Sequence, residues 1–136
     1  MIVTFLIPRP PSTNGLFANA SSPGRGRRIT AGYEQWIRDA GWTIKAQRPP
    51  RLQGAYHMLV ELKRWRAGKL DVANFEKAIG DLLTKLQVVT DDSMAESVML
   101  AWSGDDPAVA RVTLHTSTDL TERLIDVYRT AVVCAE

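Results

Sequence analysis

The spacing of apolar residues changes period several times along the chain, and each change marks an element. Ile2 to Ile7 is a short apolar run that reads as a first strand, stopped by Pro8-Arg9-Pro10-Pro11. Ser12-Thr13-Asn14-Gly15 is turn material, and Ser21 to Arg28 reads as a flexible basic loop. Thr30 is placed to cap a helix running to about Ala46. Its apolar positions Tyr33, Trp36, Ile37, Ala40 and Ile44 follow helical spacing, and Arg48-Pro49-Pro50 ends it. Tyr56 to Trp65 returns to period two, with Tyr56, Met58, Val60 and Leu62 on one face.

Asp71 to Leu86 is the clearest helix. Val72, Phe75, Ile79, Leu82, Leu83 and Leu86 fall in one arc roughly 100° wide, while Asn74, Lys77 and Asp81 gather opposite, with Asp71 at the edge. Val88 to Asp92 turns the chain into a strand near Glu96 to Trp102. Ser103-Gly104-Asp105-Asp106-Pro107 reads as a hairpin turn, with Ala108 to His115 the partner strand. Thr118/Asp119 and Glu122 cap a last helix, whose Leu120, Leu124, Val127 and Ala131 face inward. The order β-α-β-α-β-β-α predicts an α/β (α+β) fold, a single mixed sheet flanked by helices, in one domain covering residues 1–136.

A length of 136 residues, with 45% hydrophobic and 24% charged, suits a globular core that needs no disulfide or structural metal. The longest apolar runs are too short to span a bilayer, and none follows a signal-peptide pattern, so no membrane association is expected. Cys134 has no second cysteine to pair with, which fits a reducing cytoplasm; as a catalytic thiol it ranks below packing or fraying near the chain end.

The net charge of +2 hides a division. Residues 1–69 hold twelve Lys/Arg against three Asp/Glu, and residues 70–136 hold five against twelve. Basic residues set among glycines point to nucleic acid as the partner. Arg25, Arg27 and Arg28, with Arg64, Arg66 and Lys69 before the second helix, are the candidate phosphate contacts. Trp65, between arginines, is a candidate for stacking on an exposed base, with core or dimer packing the alternative.

The candidate chemistry lies in Lys69-Leu70-Asp71-Val72-Ala73-Asn74-Phe75-Glu76-Lys77 and the later Asp91-Asp92. Phosphodiester hydrolysis needs an activated water and relief of charge on the leaving oxygen. Mg²⁺ or Mn²⁺ held by carboxylates supplies both. Lys77 is on the polar side of its helix, where it can meet charge building on a phosphate. Each part also has a plain reading: Asp71 as an N-cap, Asp91-Asp92 as a turn, Lys77 as a solvated lysine. His57 and His115 lie on strands without metal-ligand spacing, so strand packing is expected for both. No P-loop, Gly-x-Ser-x-Gly or Rossmann fingerprint occurs.

Basic–x–Asp–aliphatic–Asp–Asn–x–x–Lys, followed after fifteen residues by the second Asp of a pair, resembles the RusA-type Holliday-junction resolvases of bacteria and phages. Ile7-Pro8-Arg9-Pro10-Pro11-Ser12-Thr13-Asn14 is similar to that family's Pro-Pro-Ser-x-Asn start. The resemblance implies a RusA-like fold over nearly the whole chain. It implies that Asp71 and Asp92 are metal-binding catalytic carboxylates, that Lys77 is the essential lysine and that Asn74 orders the loop. Asp91 is a weaker candidate. The activity implied is that of an Mg²⁺-dependent homodimer nicking opposed strands of a four-way DNA junction, in the cytoplasm of a bacterial or phage-infected cell.

Ala73 departs from that pattern, for the resemblance calls for an aspartate there. Alanine offers no oxygen to a metal, so the expected result is a crippled site. Either a natural junction binder has lost catalysis, or an active enzyme was altered to trap a complex or spare its host; the intact Lys77 and Asp92 favour the second. A nuclease acting on flaps and forks is a further alternative. So is a small nucleic-acid-binding regulator, in which the acidic residues are only caps and turns.

Overall fold

The computed structural model describes residues 1–19, 26–64, 72–103 and 105–116. Strand β1 (Ile2–Pro8) buries Val3, Phe5 and Ile7 and exposes the alternating Ile2, Thr4 and Leu6, the period-two pattern of an edge strand with one covered face. Its outer backbone groups are partly met by a side chain. Gln47 Oε1 accepts from the Leu6 amide at 2.9 Å, and its Nε2 donates to the Leu6 carbonyl at 2.7 Å. A covered edge is less open to pairing with another chain.

Helix α1 (Ala31–Gln47) starts where the sequence placed it. Thr30 Oγ1 accepts from the Tyr33 amide at 3.2 Å and also donates to the Gly15 carbonyl at 2.7 Å. Tyr33, Trp36, Ala40 and Ile44 are buried, and Trp36 Nε1 donates to the Pro8 carbonyl at 2.9 Å, pinning the helix to the end of β1. The helix stops at Arg48, which takes the left-handed conformation at φ 50° ahead of Pro49.

The main sheet has the order β1-β6-β4-β5, completed by β4 (Tyr56–Leu62), β5 (Ala95–Trp102) and β6 (Val109–His115). Strand β4 is buried on both faces, as an interior strand should be. It runs antiparallel to β6 and parallel to β5, and the parallel pairing needs a crossover, which helix α2 (Glu76–Lys85) supplies. His57 packs within the sheet as expected. Its ring stacks on His115 with centroids 4.8 Å apart, and its Nδ1 lies 2.8 Å from Ser97 Oγ.

Three expectations are corrected. The strands on either side of Ser103–Pro107 do not pair as a hairpin; β4 lies between them. Strand β6 instead pairs antiparallel with β1 on one side and β4 on the other, so the chain crosses β4 between β5 and β6. Part of the presumed basic loop is ordered: β2 (Phe17–Asn19) and β3 (Arg27–Ile29) form a second, two-stranded sheet. The second helix begins late. Val72–Phe75 is a 3-10 turn, and α-helical geometry starts only at Glu76. The expected last helix from Thr118 lies outside the described residues, as does Cys134. Among the described residues no helix is long and apolar enough to cross a membrane.

Candidate active site

The 3-10 turn Val72–Phe75 carries Ala73 and Asn74 and feeds directly into α2. It is held from two sides. Thr13 Oγ1 donates to the Asn74 carbonyl at 2.9 Å, so the Pro-Pro-Ser-Thr-Asn segment and the second motif meet in space. Phe75 is buried, edge-on to Trp102 at 5.9 Å, with the Arg9 guanidinium 5.0 Å from its ring centroid. Arg9 also donates to the Lys63 carbonyl at 2.7 Å and the Pro107 carbonyl at 3.3 Å, and burial lowers its pKa from the usual arginine value. One arginine therefore ties the ends of three strands to the turn that opens α2.

Asp91 and Asp92 have separate tasks. Asp91 caps the short 3-10 turn Asp92–Met94, its Oδ1 accepting from the Ser93 amide at 2.8 Å, and that hydrogen bonding holds its carboxyl below the usual range. The cap positions Asp92 against α2. A methyl group placed on Gly80 would lie 3.8 Å from Asp92 Cβ and 3.6 Å from Glu76 Oε1. Glycine at this helical position leaves room for the Asp92 backbone and Cβ to approach α2.

Tyr56, at the start of β4, is 1% exposed. Its pKa is raised, first by burial and then by the charges of Asp92, Glu76 and Asp91. Neither Glu76 nor Asp92 makes an ion pair among the described residues. Asp92 is exposed and Glu76 half-buried, and carboxylate oxygens are hard donors of the kind that suit Mg²⁺ or Mn²⁺. Among the described residues, no three His, Cys, Asp or Glu side chains form a metal-holding group by themselves. Asp71 lies outside the described residues.

Lys77 is half exposed and pairs with Asp81 at 3.3 Å, one turn along α2. No contact joins it to Asp92 among the described residues. At about 100° per residue, Lys77 sits between the Gly80 flank and the Asp81 flank of the helix.

The basic candidates fall into two groups. Arg27 and Arg28 are exposed on β3, facing Asn19 and Ala18 across the small sheet. Arg64 is exposed at the exit of β4, its guanidinium 5.1 Å from the Trp102 ring centroid. Arg25, Arg66, Lys69 and Trp65 lie outside the described residues.

Sequence reasoning missed Glu76, Tyr56, Gly80 and Trp102. For Glu76 a signal existed, since it stands inside the second motif beside Lys77. The other three are apolar or small positions whose neighbours come from distant chain, and no local signal marks them.

A family model, endodeoxyribonuclease RusA, matches residues 8–115, most of the 136-residue chain. The chain belongs to the RusA endodeoxyribonuclease family, and the mixed α+β architecture agrees with that assignment. No curated protein matches the chain.

Proposed function

We propose that the chain is a structure-specific endodeoxyribonuclease that resolves four-way DNA junctions, acting as a homodimer of one 136-residue domain. Membership of a family of endodeoxyribonucleases supports the reaction class. The observation that carries the site is the packing of Asp92 onto Gly80, which brings the later acidic pair to the helix that starts from Ala73 and Asn74. Asp71 and Asp92 are assigned as ligands for Mg²⁺ or Mn²⁺. The ion would supply charge relief at the scissile phosphate and an acidified water.

The protein's own residues orient and stabilise. Asp91 fixes Asp92 by capping its turn. Thr13 and Arg9 fix the start of α2. Lys77 leaves Asp81 to meet the phosphate, where a positive charge favours the more negative transition state. In the reaction the water oxygen bonds to phosphorus, the bond to the leaving sugar oxygen breaks, and that oxygen takes a proton. Arg27, Arg28 and Arg64, with Arg25, Arg66 and Lys69, contact phosphates away from the cut. A two-fold dimer presents two equivalent sites to a substrate with matching symmetry.

Ala73 leaves a site made from Asp71 and Asp92 alone one carboxylate short, and on that ligand set the chain would bind junctions and cut them poorly. Incubating synthetic four-way junctions, forks and duplex with Mg²⁺ or Mn²⁺, using this chain and Ala73→Asp, tests the proposal. Paired nicks confined to the junction support it. Binding without cleavage by either protein would identify a junction binder, equal cutting of forks a general branched-DNA nuclease, and duplex binding alone a regulator.

A further inference from the structure

We propose that the groove between α1 and α2 is a docking site for an acidic peptide segment of a partner protein, anchored there by bulky apolar side chains.

Three adjoining depressions, of about 220, 210 and 150 Å³, run along the two helices. The first two share Ile37, Leu82 and Lys85, and the first and third share Lys45 and Leu86. Ile37 and Leu86 are only partly buried. Gly41 puts no side chain between the helices, and Leu86 Cδ2 lies 3.9 Å from where a methyl group would stand. The floor is therefore apolar. Ile29 and Trp42, which also line it, remain 45% and 74% exposed. A large aromatic ring left in water beside an apolar floor is the composition of a protein-binding hot spot.

Charge decides the kind of partner. Arg38 and Lys45 on α1, Lys85 on α2, and Arg48 and Arg51 just beyond α1 are exposed along the groove. None of the five makes an ion pair among the described residues. Asp81, an acid that lines the groove, is paired with Lys77. Unpaired cations around an apolar floor match a segment that carries carboxylates beside its apolar anchors.

Two other occupants fit less well. A second copy docking by the same face would set these cations against their own counterparts across a two-fold axis. Single-stranded nucleic acid needs successive rings on which to stack. Of the aromatic rings lining the groove, Tyr33 is buried, Phe17 is partly buried, and Trp42 stands open with Lys45 Nζ 5.7 Å from its centroid. The Trp42 end also lies away from the candidate active site. Leu86 follows Lys77 by about 14 Å along α2, so a segment docked there leaves Asp92 and Asn74 clear.

The test uses a fluorescein-labelled peptide of about twelve residues, the length of helix that matches α1 from Tyr33 to Lys45. It carries leucine and phenylalanine on one face and glutamate elsewhere. Binding to the full chain is followed by anisotropy, with folding checked by thermal unfolding. The peptide should bind, and Trp42→Ala should weaken binding by at least about tenfold, as should Lys45→Glu combined with Lys85→Glu. Because Trp42 is exposed, Trp42→Ala should leave the melting temperature and the affinity for a four-way junction unchanged. Absence of peptide binding at millimolar concentration, or binding that Trp42→Ala leaves undiminished, overturns the docking site. Equal binding of a peptide with lysine in place of glutamate overturns the acidic partner. Trp42-dependent binding of an oligothymidylate would make the groove a nucleic-acid surface, and loss of a dimer in Trp42→Ala a contact between copies; either result overturns the assignment.

Discussion

Thr13 and Asn74 are 61 positions apart and joined by one hydrogen bond of 2.9 Å from the Thr13 hydroxyl to the Asn74 carbonyl. Through it the proline-rich start of the chain holds the turn from which α2 and its charged face begin. Thr13→Val keeps the shape and removes the donor. The expected loss of stability is about 1 kcal/mol, measured by urea unfolding. Junction cleavage should fall by more than that loss accounts for at temperatures where the variant is fully folded.

Gly80 is buried in α2, yet a methyl group there meets only ordinary contacts at 3.6 and 3.8 Å. Gly80→Ala should therefore raise stability by about 0.5–1 kcal/mol through the lower chain entropy of alanine. Gly80→Leu should fill the space bordered by Glu76 and Asp92 and abolish Mn²⁺ binding. A destabilised Gly80→Ala protein would show that the space is tighter than the geometry indicates.

Lys77 and Asp81 form an exposed pair one turn apart, so breaking it should change stability by no more than about 0.5 kcal/mol. Lys77→Met should lower the cleavage rate by about a hundredfold or more while junction affinity is kept. Asp81→Asn frees the lysine and should leave cleavage undiminished. Equal loss in both variants would mean that the ion pair, not the free ammonium, is what catalysis needs.

Arg27 and Arg28 present two cations from β3. Junction affinity should fall steeply with salt, and replacing either arginine with glutamine should lower the slope of log affinity against log salt by about one. Titrations at several salt concentrations measure this directly. An unchanged slope would remove that arginine from the interface.

Tyr56 has its pKa raised above the ordinary 10.0, by burial first and by Asp92, Glu76 and Asp91 after it; Tyr33 is raised by burial and by Asp81. A raised folded-state pKa means that the folded protein favours the neutral phenol. That stability is fully present below pH 10.0 and is lost as pH rises from there through the folded-state value. Tyr56→Phe should flatten the alkaline limb of a stability profile. Unchanged alkaline sensitivity would assign that limb to Tyr33 or to the lysines.

Local patterning alone determined much of this protein. The caps and apolar spacing of α1, the alternation of β1 and β4, and the amphipathic stripe of α2 all depend on neighbours within a turn or two, so they can be read from the chain. The same holds for the two motifs that resemble the RusA family, whose spacing survives in the sequence whatever the fold. Tertiary structure alone decided which strands pair. Strand β6 lies between β1 and β4 through backbone pairing with chain far away in sequence, and no residue near Ser103–Pro107 carries that information. It likewise decided the surroundings of the acids. Asp91 becomes a cap and Asp92 packs beside Gly80, because long-range packing sets which side chains share a space.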